Sequence, residues 1–476
     1  MKENYLEALK WYGKAADMGN AEAKYKLGKI LLEEGKRYLK ESREQGSIAA
    51  SEFIKENLKE GNIDENESGY YIVFKSPKEF YLSADKRWDG IIEYSLDKRN
   101  WHEWNGNGIT SDTIYMRGSG NSVITGGNEW HFQTDDRLIC RGNIENLLDY
   151  ELCSRGEHPP MGKRCYESMF KGCTHLSEAP ALPAMKLAEF CYNRMFSGCT
   201  SLVEAPALPA TELARACYLE MFKGCTSLKE APALPATKLP ASLWPPASLW
   251  NEGCYASMFS GCTSLSEAPA LPATKLARGC YLAMFSGCTS LVEAPALPAT
   301  ELASGCYLAM FSGCTSLKEA PALPATKLPI SLWNEGGYAS MFEGCISLSK
   351  APALPATELA YGCYNSMFKG CTSLFKAPAL PATELAASCY LAMFSGCKSL
   401  KEAPALPATE LCSDCYLAMF EDCTSLVEAP ALPAILLGSD CCRAMFAGCI
   451  SLRDRSNLPK KCFELYTFII RLEGSK

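Results

Sequence analysis

The dipeptide Met-Phe recurs at Met169, Met195, Met221, Met258, Met284, Met310, Met341, Met367, Met393, Met419 and Met445, at intervals of 26, 26, 37, 26, 26, 31, 26, 26, 26 and 26 residues. Eleven copies of one 26-residue unit, two of them followed by insertions, leave few folding options. A unit this short cannot bury its own apolar face, so neighbours must stack into a solenoid.

The copy that begins at Leu213 shows how one unit is expected to fold. Leu213, Cys217, Met221 and Cys225 are spaced by four, with Phe222 beside them, which predicts a short helix with one buried stripe. Gly224 lets the chain turn out of it. Ser227-Leu228-Lys229-Glu230-Ala231 alternates polar and apolar residues and predicts a short strand. Pro232 and Pro235 lack backbone donors, so the following run is extended chain returning to the next unit.

Two other textures precede the array. Residues 1–60 contain no proline and many alanines, and read as helical. Residues 61–150 carry aromatic and β-branched runs at Tyr70–Phe74, Gly90–Tyr94, Thr113–Met116 and Glu129–Phe132, divided by turns such as Asn105-Gly106-Asn107-Gly108. That spacing predicts a small all-β domain, a sandwich or a partly open barrel. The expected architecture is therefore multidomain α+β. A helical region (1–60) leads to a β-domain (61–150), then a solenoid (151–455) of one short parallel strand and one short helix per unit, then a C-terminal cap (456–476).

The pattern Cys-Tyr-x-x-Met-Phe-x-Gly-Cys-Thr-Ser-Leu-x-Glu-Ala-Pro-Ala-Leu-Pro resembles the BspA-like leucine-rich repeats of bacterial proteins, from residue 165 to about 455. The resemblance implies adhesion, surface display or protein–protein contact, and no catalysis. Ala8-Leu9-Lys10-Trp11-Tyr12, Ala15-Ala16, Gly19-Asn20-Ala21-Glu22-Ala23 and Tyr25-Lys26-Leu27-Gly28 resemble Sel-one-like relatives of tetratricopeptide repeats, with one and a half copies present.

The 26 cysteines follow from the repeat. Each unit offers one slot before Tyr and one after Gly, and 21 of 22 are filled, with Gly337 the vacancy. The pair is eight residues apart on the predicted helical stripe, not in the close Cys-x-x-Cys spacing of zinc sites. A ladder of buried thiols is the plain reading, and rung-to-rung disulfides or a metal are the alternatives. No cofactor motif occurs: there is no phosphate loop, metal-type His pair or nucleophile elbow.

Two charge columns accompany the predicted strands. The first reads Glu178, Glu204, Glu230, Glu267, Glu293, Glu319, Lys350, Lys376, Glu402 and Glu428. The second, eight residues on, reads Lys186, Glu212, Lys238, Lys275, Glu301, Lys327, Glu358, Glu384 and Glu410. Units with lysine in the first column have glutamate in the second, which suggests compensation within a unit, and a face for basic groups is the functional alternative. The insertions at 238–253 and 327–336 hold the three tryptophans of the array, Trp244, Trp250 and Trp333. Loops on one face of a solenoid often bind, and tryptophan is enriched at hot spots. The bland alternative is that each ring covers an apolar edge of its own unit. Trp244, Trp250, Trp333, Glu204, Glu230, Glu267, Glu293 and Glu319 are thus the candidate partner-binding residues.

The position after the strand leucine repeats as Ser177, Val203, Lys229; Ser266, Val292, Lys318; and Ser349, Phe375, Lys401, the mark of a duplicated three-unit block. In the β-domain, Trp88, Trp101, Trp104 and Trp130 beside His102 and His131 suggest either a core or a sugar-stacking platform. A net charge of −7 without a long basic run argues against nucleic acid. No apolar run of about 18 residues predicts a membrane span. No signal peptide is visible, which by default places the chain inside the cell, although the resembled family is often surface-exposed. The expected function is a non-enzymatic scaffold that binds a protein or a host-surface ligand. The alternative is a carbohydrate-binding β-domain with the solenoid as spacer.

Overall fold

The computed structural model of the protein describes residues 70–239, 253–328, 336–432, 436–453 and 462. Residues Tyr70–Lys476 form one compact unit. The expected helical repeats at 1–60 lie outside the described residues. So do Trp244, Trp250 and Trp333 and nearly all of the expected C-terminal cap.

The aromatic and β-branched runs form strands β1 (Ile72–Ala84), β2 (Ile91–Ser95), β4 (Ile109–Ser119) and β5 (Trp130–Gln133), with β3 (His102–Glu103) and β6 (Leu138–Arg141) between and after them. On β1, Ile72, Phe74, Phe80, Leu82 and Ala84 are buried while Lys75 is exposed. The register of β1 against β4 shifts between Lys75 and Phe80, around Pro77, which has no donor for the ladder. These strands do not make a sandwich. They form one mixed sheet in the order β3-β2-β4-β1-β6-β7, where β5 also pairs with β1 and β7 (Leu176–Glu178) belongs to the first repeat unit. The β6–β7 pair is parallel and the others are antiparallel. The β-region thus seals the open end of the array. Phe132 stacks on Phe170 at 5.6 Å, and the Tyr166 hydroxyl donates to the Ile144 carbonyl at 2.8 Å.

The expected helix in each unit is not there, and with it the α+β class is overturned. Among the described residues the one α-helix is α1 (Asn146–Ser154), which is kinked at Asp149 and packs on β4. The Cys-Tyr-x-x-Met-Phe-x-Gly-Cys stretch is instead a run of tight turns with a left-handed residue every four positions. The residue before each Met has φ between 47° and 60°, from Ser168 to Ala444, and the residue three after the Met is a glycine with φ between 72° and 77° in every unit but one, where Asp422 takes φ 56°. Alternate amides bond differently. Met169 and Cys173 donate three residues back, to Tyr166 and Phe170, whereas Ser168, Phe170 and Gly172 donate to Asn193, Met195 and Ser197 in the next unit. A period of four and a helical period of 3.6 place Leu213, Cys217, Met221 and Cys225 on one side equally well over so few turns. Cross-unit hydrogen bonds decide for the turns, because each satisfies a backbone group that a one-turn helix leaves orphaned.

Stacking in register turns each sequence position into a column. The Phe rings from Phe170 to Phe446 stack at 5.4–5.7 Å with planes 2–7° apart. A parallel column of buried tyrosines runs from Tyr166 to Tyr416. Single parallel bridges mark the strand side, with two-residue strands β8 (Glu410–Leu411) and β9 (Leu436–Leu437) near the end. Cys462 is buried, and its carbonyl accepts from Phe446 at 2.8 Å.

Candidate functional site

Both charge columns are real features of the folded surface. In the first, backbone bridges join Glu204 to Glu230, Glu230 to Glu267, Glu293 to Glu319 and Glu319 to Lys350, and all these side chains are exposed. Five successive rungs therefore present glutamate at one position. In the second column, Lys186 pairs with Glu212 at 3.0 Å, Lys275 with Glu301 at 2.8 Å and Lys327 with Glu358 at 2.5 Å. Compensation in that column thus runs up the stack from rung to rung, not across a unit as the sequence suggested. The first glutamate, Glu178, is tied to the β-region by Arg141 at 2.8 Å.

Between the columns lies the Ala-Pro-Ala-Leu-Pro stretch. Two prolines per unit supply no N–H, and among the described residues no backbone hydrogen bond joins these stretches in successive units. Where rungs are not laced together, gaps open. One, of about 300 Å3, is lined by Lys376, Pro378, Leu380, Glu402, Pro404 and Pro407. Beside it stands Phe375, with 56% of its surface exposed, in the same column as Val203 and Val292 at 39% each. Sequence reasoning noted this column only as a trace of duplication. The signal for an exposed apolar column was available, since the residue after each strand leucine falls on the side opposite the buried leucine.

Of the candidate residues, the structure brings Glu204, Glu230, Glu267, Glu293 and Glu319 into one exposed line. It gives no position to Trp244, Trp250 and Trp333, which lie outside the described residues. The four tryptophans of the β-region do not assemble into a platform. Trp88, Trp104 and Trp130 are buried and pack on one another at 5.0–5.1 Å. Trp101 is half-buried, with the Arg117 guanidinium 4.1 Å from its ring and the same guanidinium 4.3 Å from Tyr150.

Of the 26 cysteines all are buried except Cys153 and Cys412. From the second unit on, the thiol in the second slot has a partner: Cys199, Cys225, Cys262, Cys288 and their successors to Cys449 donate to the Phe carbonyl of the preceding unit at 3.0–3.1 Å. Burial holds the thiols of both slots protonated, pushing Cys262, Cys306, Cys345, Cys363 and Cys397 up to about 12 and Cys191 up to about 11. Among the described residues no three of His, Cys, Asp and Glu converge where a metal could sit.

Comparison with protein-family models, with curated proteins and with solved structures finds no match to this chain. Among the described residues no helix is long and apolar enough to cross a membrane.

Proposed function

We propose that the array is a non-enzymatic scaffold whose strand face binds a protein partner or surface ligand that carries basic groups. The observation that supports this is the exposed, in-register column Glu204, Glu230, Glu267, Glu293 and Glu319. Like charges held about 5 Å apart repel one another, and a partner with matching positive groups relieves that repulsion at several rungs together. The surface is multivalent by construction, so affinity rises with the number of rungs engaged. The resemblance to BspA-like repeats supports the same reading.

Binding of poly-lysine of increasing length to the full chain, measured by calorimetry at low ionic strength, tests it. Exposed ion pairs contribute about 0.2–1 kcal/mol each. Replacing all five glutamates by glutamine should therefore weaken binding roughly tenfold or more, and salt should weaken the native complex. Equal affinity of the native and five-glutamine proteins would overturn the proposal.

A further inference from the structure

One turn of the array departs from the two-slot pattern. Cys412-Ser413-Asp414-Cys415 adds a third cysteine to its unit, three residues before the first slot, where the neighbouring units carry Ala386 and Gly438. Ser413 and Asp414 are the middle residues of a turn, and Asp414 takes φ 55°. In earlier units the same turn is closed by the Cys363 amide donating to the Ala360 carbonyl at 3.2 Å and the Cys389 amide donating to the Ala386 carbonyl at 3.3 Å. Such turns bring their first and fourth Cα atoms within about 7 Å, and disulfides span about 4.4–6.8 Å between Cα atoms. The two thiols differ in access: Cys412 is exposed, whereas Cys415 is fully buried in the first thiol column. An exposed thiol with a buried one three residues on is the arrangement of a dithiol that exchanges disulfides.

We propose that Cys412 and Cys415 form a redox-active dithiol whose substrate is a small, positively charged disulfide. The charge preference comes from the surroundings. Glu410 lies two residues before Cys412, and Asp414 lies inside the turn. Burial and the Asp440 carboxylate of the next rung both push the Asp414 carboxyl up. Against these three carboxylates stands Arg443, 3.8 Å from Asp440, so the turn stays net acidic and repels an anionic reagent.

The exchange takes two steps. Cys412 gives up its bond to the Leu385 carbonyl at 3.0 Å, loses its proton to solvent and attacks one sulfur of the disulfide R–S–S–R. A bond forms between Cys412 Sγ and that sulfur, the S–S bond of the reagent breaks, and one thiolate leaves and is protonated by solvent. Cys415 then loses its proton and attacks Cys412 Sγ, which closes the Cys412–Cys415 bond and expels the second thiolate. The protein dithiol is oxidised by two electrons and the reagent is reduced to two thiols. Burial, with the charges of Cys441 and Cys412 adding to it, holds Cys415 up at about 12, so the second step is the slow one. Capping Cys412 in the first step removes its charge from that sum.

The test uses the reduced full chain in a Cys153→Ser background, which removes the other thiol that is not buried. It is treated at low salt and about pH 8, near the ordinary thiol value, with cystamine and in parallel with glutathione disulfide. Samples are quenched in acid, alkylated in denaturant and cleaved before aspartate, which separates Cys412 from Cys415 unless a disulfide joins them. Cystamine should remove two thiols per chain, link those two peptides, and react about tenfold faster than the anionic glutathione disulfide. Cys415→Ala should stop at one half of cystamine held on Cys412, and Cys412→Ala should lose no thiol on the same timescale. A protein that loses no thiol, that keeps a mixed disulfide on Cys412 with no second thiol lost, or that links Cys412 to Cys389 overturns the dithiol. Equal rates with the two reagents, or a difference that Asp440→Asn leaves unchanged, overturn the charge preference.

Discussion

Alkali should unfold this protein abruptly, and the buried thiols set where. Cys262, Cys306, Cys345, Cys363 and Cys397 are raised by burial from an ordinary value of 9.0 to about 12. Below the unfolded value both states hold the proton, and the stability that burial contributes is fully present. Above it the unfolded chain ionises while the folded chain does not, so stability is lost as pH rises toward the folded value. One such thiol costs about 1.4 kcal/mol by about pH 10. These five together remove about 7 kcal/mol there, comparable to the whole stability of many domains at roughly 5–15 kcal/mol. Thiols such as Cys254, Cys280 and Cys371, and the stacked tyrosines Tyr192 and Tyr364, are raised in the same direction by burial and add to the slope. The assay is near-ultraviolet circular dichroism of the stacked aromatic columns, followed with thiolate absorbance as pH rises. Thiolate from the buried cysteines, followed in a Cys153→Ser, Cys412→Ser background that removes the two that are not buried, should appear together with loss of the aromatic signal, not before it. Replacing Cys306 and Cys363 by alanine should lower the slope of stability against pH by about 1.4 kcal/mol per unit for each. A native aromatic signal that survives beyond about pH 11, or thiolate that forms in the Cys153→Ser, Cys412→Ser background while the columns remain stacked, would refute the reasoning.

Two further predictions come from single rungs. Cys288→Ala, which removes a buried sulfur and its bond to the Phe259 carbonyl at 3.1 Å, should cost about 1.5–2.5 kcal/mol in urea unfolding; Cys288→Ser should cost less, because a donor remains, and equal costs would remove the hydrogen bond from the account. Gly337→Cys, which fills the one gap in the first thiol column beside buried Cys306 and Cys363, should raise stability by about 1 kcal/mol, as read from the urea midpoint, and a lower midpoint would show that Gly337 is held open by its backbone.

Much of the architecture was legible because in-register stacking converts a sequence period directly into columns. The Met-Phe interval gives the rungs, the two cysteine slots give the thiol ladders, and the residue after each strand leucine gives an exposed line. The backbone conformation was not legible. Spacing by four is the signature of a helix only when the i→i−4 bonds are available, and here Ser168, Phe170 and Gly172 send their amides to the next unit. The sealing of the first unit by the β-region was also hidden, since the parallel pairing of Leu138 with Leu176 joins residues far apart in the chain. In the candidate site, the glutamate column followed from register alone. The pairing of lysine with glutamate up the second column did not, because a sequence shows which charges share a unit more readily than which share a column.

The cysteines show how the turn geometry and the composition depend on each other. The Phe259 carbonyl already accepts the amide of Cys262 in its own unit at 3.0 Å, and its second lone pair points across the rung toward the side chain at position 288. That site needs a group of about one heavy atom, fully buried, that can still donate. Alanine leaves a void and an under-satisfied carbonyl. Valine overfills the rung and cannot donate, and serine carries a larger desolvation cost into an apolar column. A thiol is apolar enough to bury and is a weak donor, and the same choice is made at each successive rung from Cys199 to Cys449. A high cysteine count in this chain is therefore a consequence of its backbone: tight turns leave one carbonyl per unit with a lone pair facing the core, and stacking repeats that demand along the whole solenoid.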